Sequence, residues 1–246
     1  MAETKKVALI TGANRGIGFE TAKQLGEQSV TVVLASRKLS DAEAAAAKLK
    51  SKGIDAYAVQ LDVTKAADRT AAYKFIDGKF GKLDILINNA GIAPSANFGT
   101  NTTTGTTQQE LRNIYETNFF SVVALTQQLL PLVKKSDAGR IVNLSSILGS
   151  LALHADPKSP IYSAKLFSYN SSKSALNAYT IHLAHELKDT PIKVNSVHPG
   201  WVKTEMGTGA APMEIPEGAK TSVAAALLGP DGPSGRFIHL GEELPW

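Results

Sequence analysis

The sequence predicts an α/β fold: a doubly wound parallel sheet of about seven strands with helices on both faces, formed as a single domain over residues 1–246. Three observations predict it. A chain of 246 residues, 43% of them hydrophobic, can bury one substantial core, and one domain accounts for it more economically than two. Short runs rich in β-branched residues alternate with longer segments of helical period, the pattern of repeated βαβ units. The short runs are apolar almost throughout, as strands covered by helices on both sides are.

The elements follow in order. Strand candidates are KKVALIT (5–11), VTVVLAS (30–36), AYAVQLDV (56–63), LDILINNA (83–90), RIVNLSS (140–146), IKVNSVHPG (192–200) and GRFIHLG (235–241). Between them, helices are expected at about 17–28, 40–52, 66–79, 108–135, 168–188 and 216–228. Two stretches break the rhythm. NFGTNTTTGTT (97–107) is Thr/Gly-rich with little apolar character and reads as a mobile surface loop. KTEMGTGAAPMEIPEG (203–218) follows a strand end and carries Met206, Met213 and Ile215. Ligands of open α/β sheets sit at the carboxyl ends of strands, so this second loop is the better candidate for a substrate lid.

The first strand runs directly into TGANRGIG, Thr11 to Gly18, and then into a helix. Glycines at 12, 16 and 18 permit a tight turn, let backbone N–H groups approach a pyrophosphate and leave room for helix to pack on strand. The spacing is G-x-x-x-G-x-G, with Asn14, Arg15 and Ile17 between the glycines. A glycine cluster can be no more than a turn, but its place between strand and helix favours a dinucleotide. At the end of the second strand, Ser36 and Arg37 stand where a carboxylate would otherwise hold ribose hydroxyls. Guanidinium groups at Arg37 and Arg15 suit a 2′-phosphate through forked, charge-assisted hydrogen bonds, which selects NADP(H).

Composition excludes several classes. Lys and Arg exceed Asp and Glu by 26 − 22 = 4, but they are scattered without interleaved aromatics, so no nucleic-acid footprint is expected. The absence of cysteine excludes disulfides, thiol catalysis and Cys-ligated metals. No segment approaches the ~20 apolar residues of a membrane span, and the expected location is cytoplasmic. Sequons at Asn101, Asn143 and Asn170 then carry no glycosylation meaning. His182 and His185 in HLAHE share a helix face, yet the order fits no zinc motif and no third ligand is apparent, so no metal is expected. His198 reads as a turn residue, and Tyr115 and Tyr179 as packing residues.

The stretch IYSAKLFSYNSSK contains two tyrosines each followed within a helical turn by lysine: Tyr162 with Lys165, and Tyr169 with Lys173. Spacing alone does not choose between them. Pro157 and Pro160 place the first pair in a loop, whereas Ala175, Leu176, Tyr179, Leu183 and Leu187 form a helical stripe that starts near Tyr169.

With TGANRGIG, LDV (61–63), NNAG (88–91), NLSS (143–146), YNSSK (169–173) and HPGWVKT (198–204), the chain resembles the short-chain dehydrogenase/reductase family over nearly its whole length, and its C-terminal part is most similar to the carbonyl-reductase branch. The resemblance implies a Rossmann fold, a nicotinamide cofactor and a catalytic tetrad. Asn118 matches the helix asparagine that holds a relay water, Ser146 the serine that hydrogen-bonds the substrate oxygen, Tyr169 the proton donor, and Lys173 its partner and a ligand of the nicotinamide ribose. Asp62 and Val63 match the adenine pocket, and Asn89 a residue near the cofactor ribose. Pro199, Gly200, Val202 and Thr204 match the turn that positions the nicotinamide. Tyr162 and Lys165 then fall in an insertion at about 147–168, where they are expected to wall the site. In the carbonyl-reductase branch such an insertion accompanies loss of the helix-to-helix dimer, so monomer and homo-oligomer both remain open.

A lysine ammonium ~4 Å from a phenol, at an effective dielectric of ~20, could lower a tyrosine pKa from about 10 by up to ~3, so Lys173, with help from the positive nicotinamide of the oxidised complex, is expected to bring Tyr169 into a useful range. The reading implied is NADPH-dependent reduction of a small ketone or aldehyde, reversible to the alcohol. A carrier-protein-linked 3-ketoacyl reductase uses the same tetrad. A regulator that senses NADP(H) without turnover need not keep all four residues.

Overall fold

The computed structural model describes residues 5–94 and 102–246. In chain order it runs β1 (Val7–Thr11), α1 (Gly16–Glu27), β2 (Thr31–Ser36), α2 (Leu39–Lys50), β3 (Ala56–Gln60), α3 (Ala66–Phe80) and β4 (Ile85–Asn88). It continues with α4 (Gln108–Tyr115), a π-helical turn (Glu116–Phe120), α5 (Ser121–Val133) and β5 (Arg140–Leu144). After these come α6 (Leu151–Ala155), α7 (Phe167–Glu186), β6 (Lys193–Val197), α8 (Ile215–Ala226), β7 (Phe237–His239) and β8 (Glu242–Glu243).

The strands form one sheet in the order β3-β2-β1-β4-β5-β6-β7-β8, parallel except for the last pairing. Successive side chains of a strand point to opposite faces, and both faces here are covered. Leu9, Val33, Leu86, Ile141 and Val194 share one core with Ile76 of α3, Leu125 and Leu129 of α5, and Leu183 of α7. Ile10, Leu34, Ile87, Val142 and Val197 share the other with Leu25 of α1, Leu49 of α2 and Val223 of α8. That two-sided burial is why the strand runs are apolar at nearly every position. The strand order reverses between β1 and β4, which opens a crevice at their carboxyl ends, the place where such sheets bind ligands.

Four expectations change. The sheet has an eighth strand, β8, whose two residues are too short to carry a period. The single helix expected at 108–135 is two helices joined by the π turn, a one-residue insertion that a hydrophobic period does not reveal. The loop expected at 203–218 ends four residues earlier, because α8 starts at Ile215 with Pro216 in its first turn, where a missing N–H costs nothing. The insertion carries a 3₁₀ turn (Ile147–Gly149) and α6. Of the stretch 97–107, residues 97–101 lie outside the described residues, while Thr103–Gly105 form a 3₁₀ turn and Thr107 caps α4.

Candidate active site

The glycine turn leaves β1 at Thr11. Gly12 and Gly16 have φ of +64° and +58°, in the left-handed region where a Cβ is strained. At Gly18 a Cβ would stand 2.5 Å from Asn89 Nδ2 and 2.6 Å from the Gly12 carbonyl oxygen, so only glycine lets α1 seat against the end of β4. Asn89 Nδ2 itself donates to the carbonyls of Thr11 and Gly12 at 2.7 and 3.2 Å, and the Thr11 hydroxyl accepts from the Asn89 and Ala90 amides. Asn89 thus braces the turn. Thr11, the T of TGANRGIG, thereby joins the residues expected at this turn.

At the start of α1 the N-cap Arg15 is extended and makes no side-chain cap, and the first turn holds no acidic residue. The backbone donors there, with the dipole of a twelve-residue helix behind them, suit a pyrophosphate. Ser36 ends β2 in the buried layer and Arg37 follows it, exposed. Burial pushes the Asp62 carboxyl up, but hydrogen bonds from the Thr64 hydroxyl and amide, then the charges of Lys65 and Arg37, outweigh it and hold Asp62 below the usual carboxylate range. Arg37 and Asp62 are therefore neighbours beyond β2 and β3, with Val63 buried beside them.

Ser146, Tyr169 and Lys173 converge from the end of β5 and from α7. The Ser146 hydroxyl accepts from the Leu148 amide at 3.2 Å and stands close enough to the Tyr169 phenol to lower its pKa. Lys173 Nζ lies 5.6 Å from the Tyr169 ring centroid and donates to the Leu144 carbonyl at 2.7 Å. Gly149 holds the arrangement closed, since a Cβ there would meet the Lys173 backbone and Cβ at 2.9 Å. Asn118, buried in the π turn, accepts from the Ile92 amide and donates to the Ile92 carbonyl and the Ser172 hydroxyl. Gly91 fits between: a Cβ there would lie 3.4 Å from Asn118 Oδ1 and 3.6 Å from Lys173 Nζ.

The lysine by itself does not lower the tyrosine pKa. Burial pushes the Tyr169 phenol up to about 12, and the Ser146 hydrogen bond offsets only part of this. Lys173 is itself buried and pushed down to about 8, and its ammonium is directed at Leu144 rather than at the phenol. Desolvation acts on both partners here and exceeds their mutual attraction.

Gly200 has φ +93°, and a Cβ there would meet Met213 Sδ at 2.6 Å, so the loop after β6 folds tightly over the turn Pro199–Gly200. Val202 is buried, and Thr204 Cγ2 comes within 3.8 Å of where a Gly16 Cβ would be. His198 follows β6 directly and is buried; burial first, then the neighbouring His239, push it down to about 3. Tyr179 packs on the core as expected, whereas Tyr115 joins Phe119 and Phe120 in an aromatic group at the π turn. His182 and His185 stand exposed on α7. Of the three sequons, Asn143 is wholly buried and Asn170 nearly so, while Asn101 lies outside the described residues.

The first tyrosine pair also closes, with Lys165 Nζ 4.7 Å from the Tyr162 ring centroid and donating to the His154 carbonyl at 2.8 Å. Lys165 lines a depression with Leu151, His154, Phe167 and Asn170, and Ser146, Tyr169 and Lys173 are absent from that lining.

A doubly wound sheet, a glycine turn feeding an uncapped helix, and a serine, tyrosine and lysine at the adjoining strand ends define an α/β protein of the nicotinamide-oxidoreductase class. The chain belongs to the short chain dehydrogenase family, whose pattern residues 6–214 match. It is 38% identical over 235 residues to the short-chain dehydrogenase anuI of Penicillium roqueforti (strain FM164), covering 93% of this chain and 91% of that one. It is 32% identical over 284 aligned positions to carbonyl reductase [NADPH] 1 of Mus musculus, covering 100% of both. The solved structure of NADPH-bound carbonyl reductase from chicken fatty liver superposes with a TM-score of 0.84 at 30% identity, covering 98% of this chain and 99% of the other. Among the described residues no helix is long and apolar enough to cross a membrane.

Proposed function

We propose that this oxidoreductase, a single domain over residues 1–246, reduces a small ketone or aldehyde to an alcohol with NADPH, and that Asn118, Ser146, Tyr169 and Lys173 carry the reaction. The observation that supports it most is the convergence of Ser146 and Lys173 on a Tyr169 phenol that keeps its proton at neutral pH. When bound, the nicotinamide supplies the hydride that the carbonyl carbon takes up. The Leu148 amide occupies a lone pair of Ser146 Oγ, which leaves its O–H to orient the carbonyl oxygen. Tyr169 then gives its proton to that oxygen as negative charge develops there. Lys173, pushed down to about 8, can pass a proton on near neutral pH, and Asn118 stands beside it as the link toward solvent.

For the cofactor, Gly12, Asn14, Arg15, Gly16, Ile17 and Gly18 would hold the pyrophosphate. Ser36 and Arg37, with Arg15, would receive the 2′-phosphate, and Asp62 and Val63 the adenine. Asn89, Tyr169 and Lys173 would face the ribose, and Pro199, Gly200, Val202 and Thr204 the nicotinamide. The names of the mouse and chicken relatives, both carrying NADPH, support that choice.

Tyr169→Phe should reduce kcat/KM for ketone reduction by about 10²–10⁴-fold while NADPH binding, followed by cofactor fluorescence, stays within a factor of about two. Substantial residual turnover would refute the tyrosine's role. In the same assay, preferential turnover of a carrier-linked 3-ketoacyl substrate over free carbonyls would replace the substrate class. Arg37→Asp should shift the NADPH/NADH ratio of kcat/KM toward NADH, and an unchanged ratio counts against that arginine.

A further inference from the structure

The loop between β6 and α8 is a tied flap. Val202 and Met213 form a parallel bridge, the Lys203 amide donates to the Met213 carbonyl, and the Met213 amide to the Trp201 carbonyl. Trp201 Nε1 donates to the Gly207 carbonyl at 2.7 Å, and the Gly207 amide to the Thr204 hydroxyl at 3.0 Å. The flap reaches across to the glycine turn: Arg15 Nη1 lies 2.6 Å from Glu205 Oε2. The carboxylate of Glu205 therefore holds the guanidinium of the N-cap residue of α1, at the helix end suited to phosphates.

A carboxylate and a phosphate compete for one guanidinium, and both together would repel each other across it. We propose that Glu205 is a specificity-determining residue acting through Arg15. It occupies the guanidinium until a 2′-phosphate displaces it, so a 2′-phosphorylated nucleotide unties the flap from the glycine turn and its unphosphorylated counterpart does not. This rests on the NADP(H) reading of Arg15. The two side chains are 69% and 75% exposed, so the pair is a weak one and the effect is a few-fold.

The test is calorimetric titration with 2′,5′-ADP and 5′-AMP, which differ only in the 2′-phosphate. Glu205→Gln should tighten 2′,5′-ADP by about 2- to 5-fold and leave 5′-AMP unchanged, and the gain should shrink as salt is raised. In an Arg15→Met background, Glu205→Gln should no longer favour 2′,5′-ADP. Equal tightening of both nucleotides, no change, or weaker binding of 2′,5′-ADP would each overturn the proposal. If the unchanged protein binds the two nucleotides alike and Arg15→Met alters neither, the NADP(H) reading at Arg15 fails and Glu205 with it. If Arg15→Met weakens 2′,5′-ADP but Glu205→Gln strengthens nothing, only the proposal fails. Untying has its own readout in a Trp246→Phe background, where Trp201 is the remaining tryptophan. Its emission should respond to 2′,5′-ADP more than to 5′-AMP, and equal responses would refute the flap's release.

Discussion

Beneath the site, Asn88 Nδ2 donates to Asn143 Oδ1 at 2.8 Å, Asn143 Nδ2 to the Thr180 hydroxyl at 2.9 Å, and that hydroxyl pairs with Ser196 at 2.8 Å, all four residues being buried. Around the rim, the flap is held by Arg15–Glu205 and Lys203–Glu214, ion pairs whose side chains are largely in solvent. The contrast separates two tasks. A buried network of direct hydrogen bonds costs much to break and fixes the ends of β4, β5 and β6 and the face of α7, from which Ser146, Tyr169 and Lys173 project. Exposed pairs cost little to exchange, which would suit the proposed role of the flap in admitting ligands. On that proposal the floor sets geometry and the rim sets access.

The largest effect that would sharpen this contrast is at His198, one residue before the Pro199–Gly200 turn. Its folded pKa is pushed down to about 3 from an ordinary 6.5. The unfolded chain therefore binds a proton that the folded protein refuses, and stability present above pH 6.5 is lost as pH falls toward 3. Between pH 7 and 4.5 this one group should remove roughly 2–3 kcal/mol, at ~1.4 kcal/mol per pH unit. Urea melts of the unchanged protein and of His198→Gln at both pH values check it. The variant should lose less stability on acidification by about that amount, whatever its stability at pH 7; parallel losses would show that the floor is not closed over this ring.

How much of this was legible depends on whether a property is local. Seven strands were readable because two-sided burial leaves continuous apolar runs, and Gly12, Gly16 and Gly18 because a turn written in three glycines needs no distant partner. The π turn at Asn118 was not readable, since one extra residue leaves the neighbouring apolar stripe almost intact. The burial of Tyr169 and Lys173 was not readable, because spacing in sequence gives proximity without burial, and burial is the largest influence on both pKa values. Glu205 carried no signal at all: its partner Arg15 is far away in the chain, and only the fold brings the flap to the glycine turn.

The smallest effect belongs to the rim pair Lys203–Glu214, which ties the two ends of the flap together. Both side chains are substantially exposed, so Coulomb attraction there is screened and partly offset by the entropy of holding two long side chains in place. Glu214→Gln should accordingly change global stability by less than ~1 kcal/mol, a Tm shift of no more than about 2–4 °C in a chain of this length. Local opening responds differently from global unfolding, because the Val202–Met213 bridge that remains is a single residue pair. Limited trypsin digestion should therefore cleave after Lys203 faster in Glu214→Gln than in the unchanged protein, while the remainder of the chain stays resistant. A Tm loss of many degrees would break the contrast, since it would mean that the flap shares the cooperative unit of the floor and has to unfold with it for a ligand to enter.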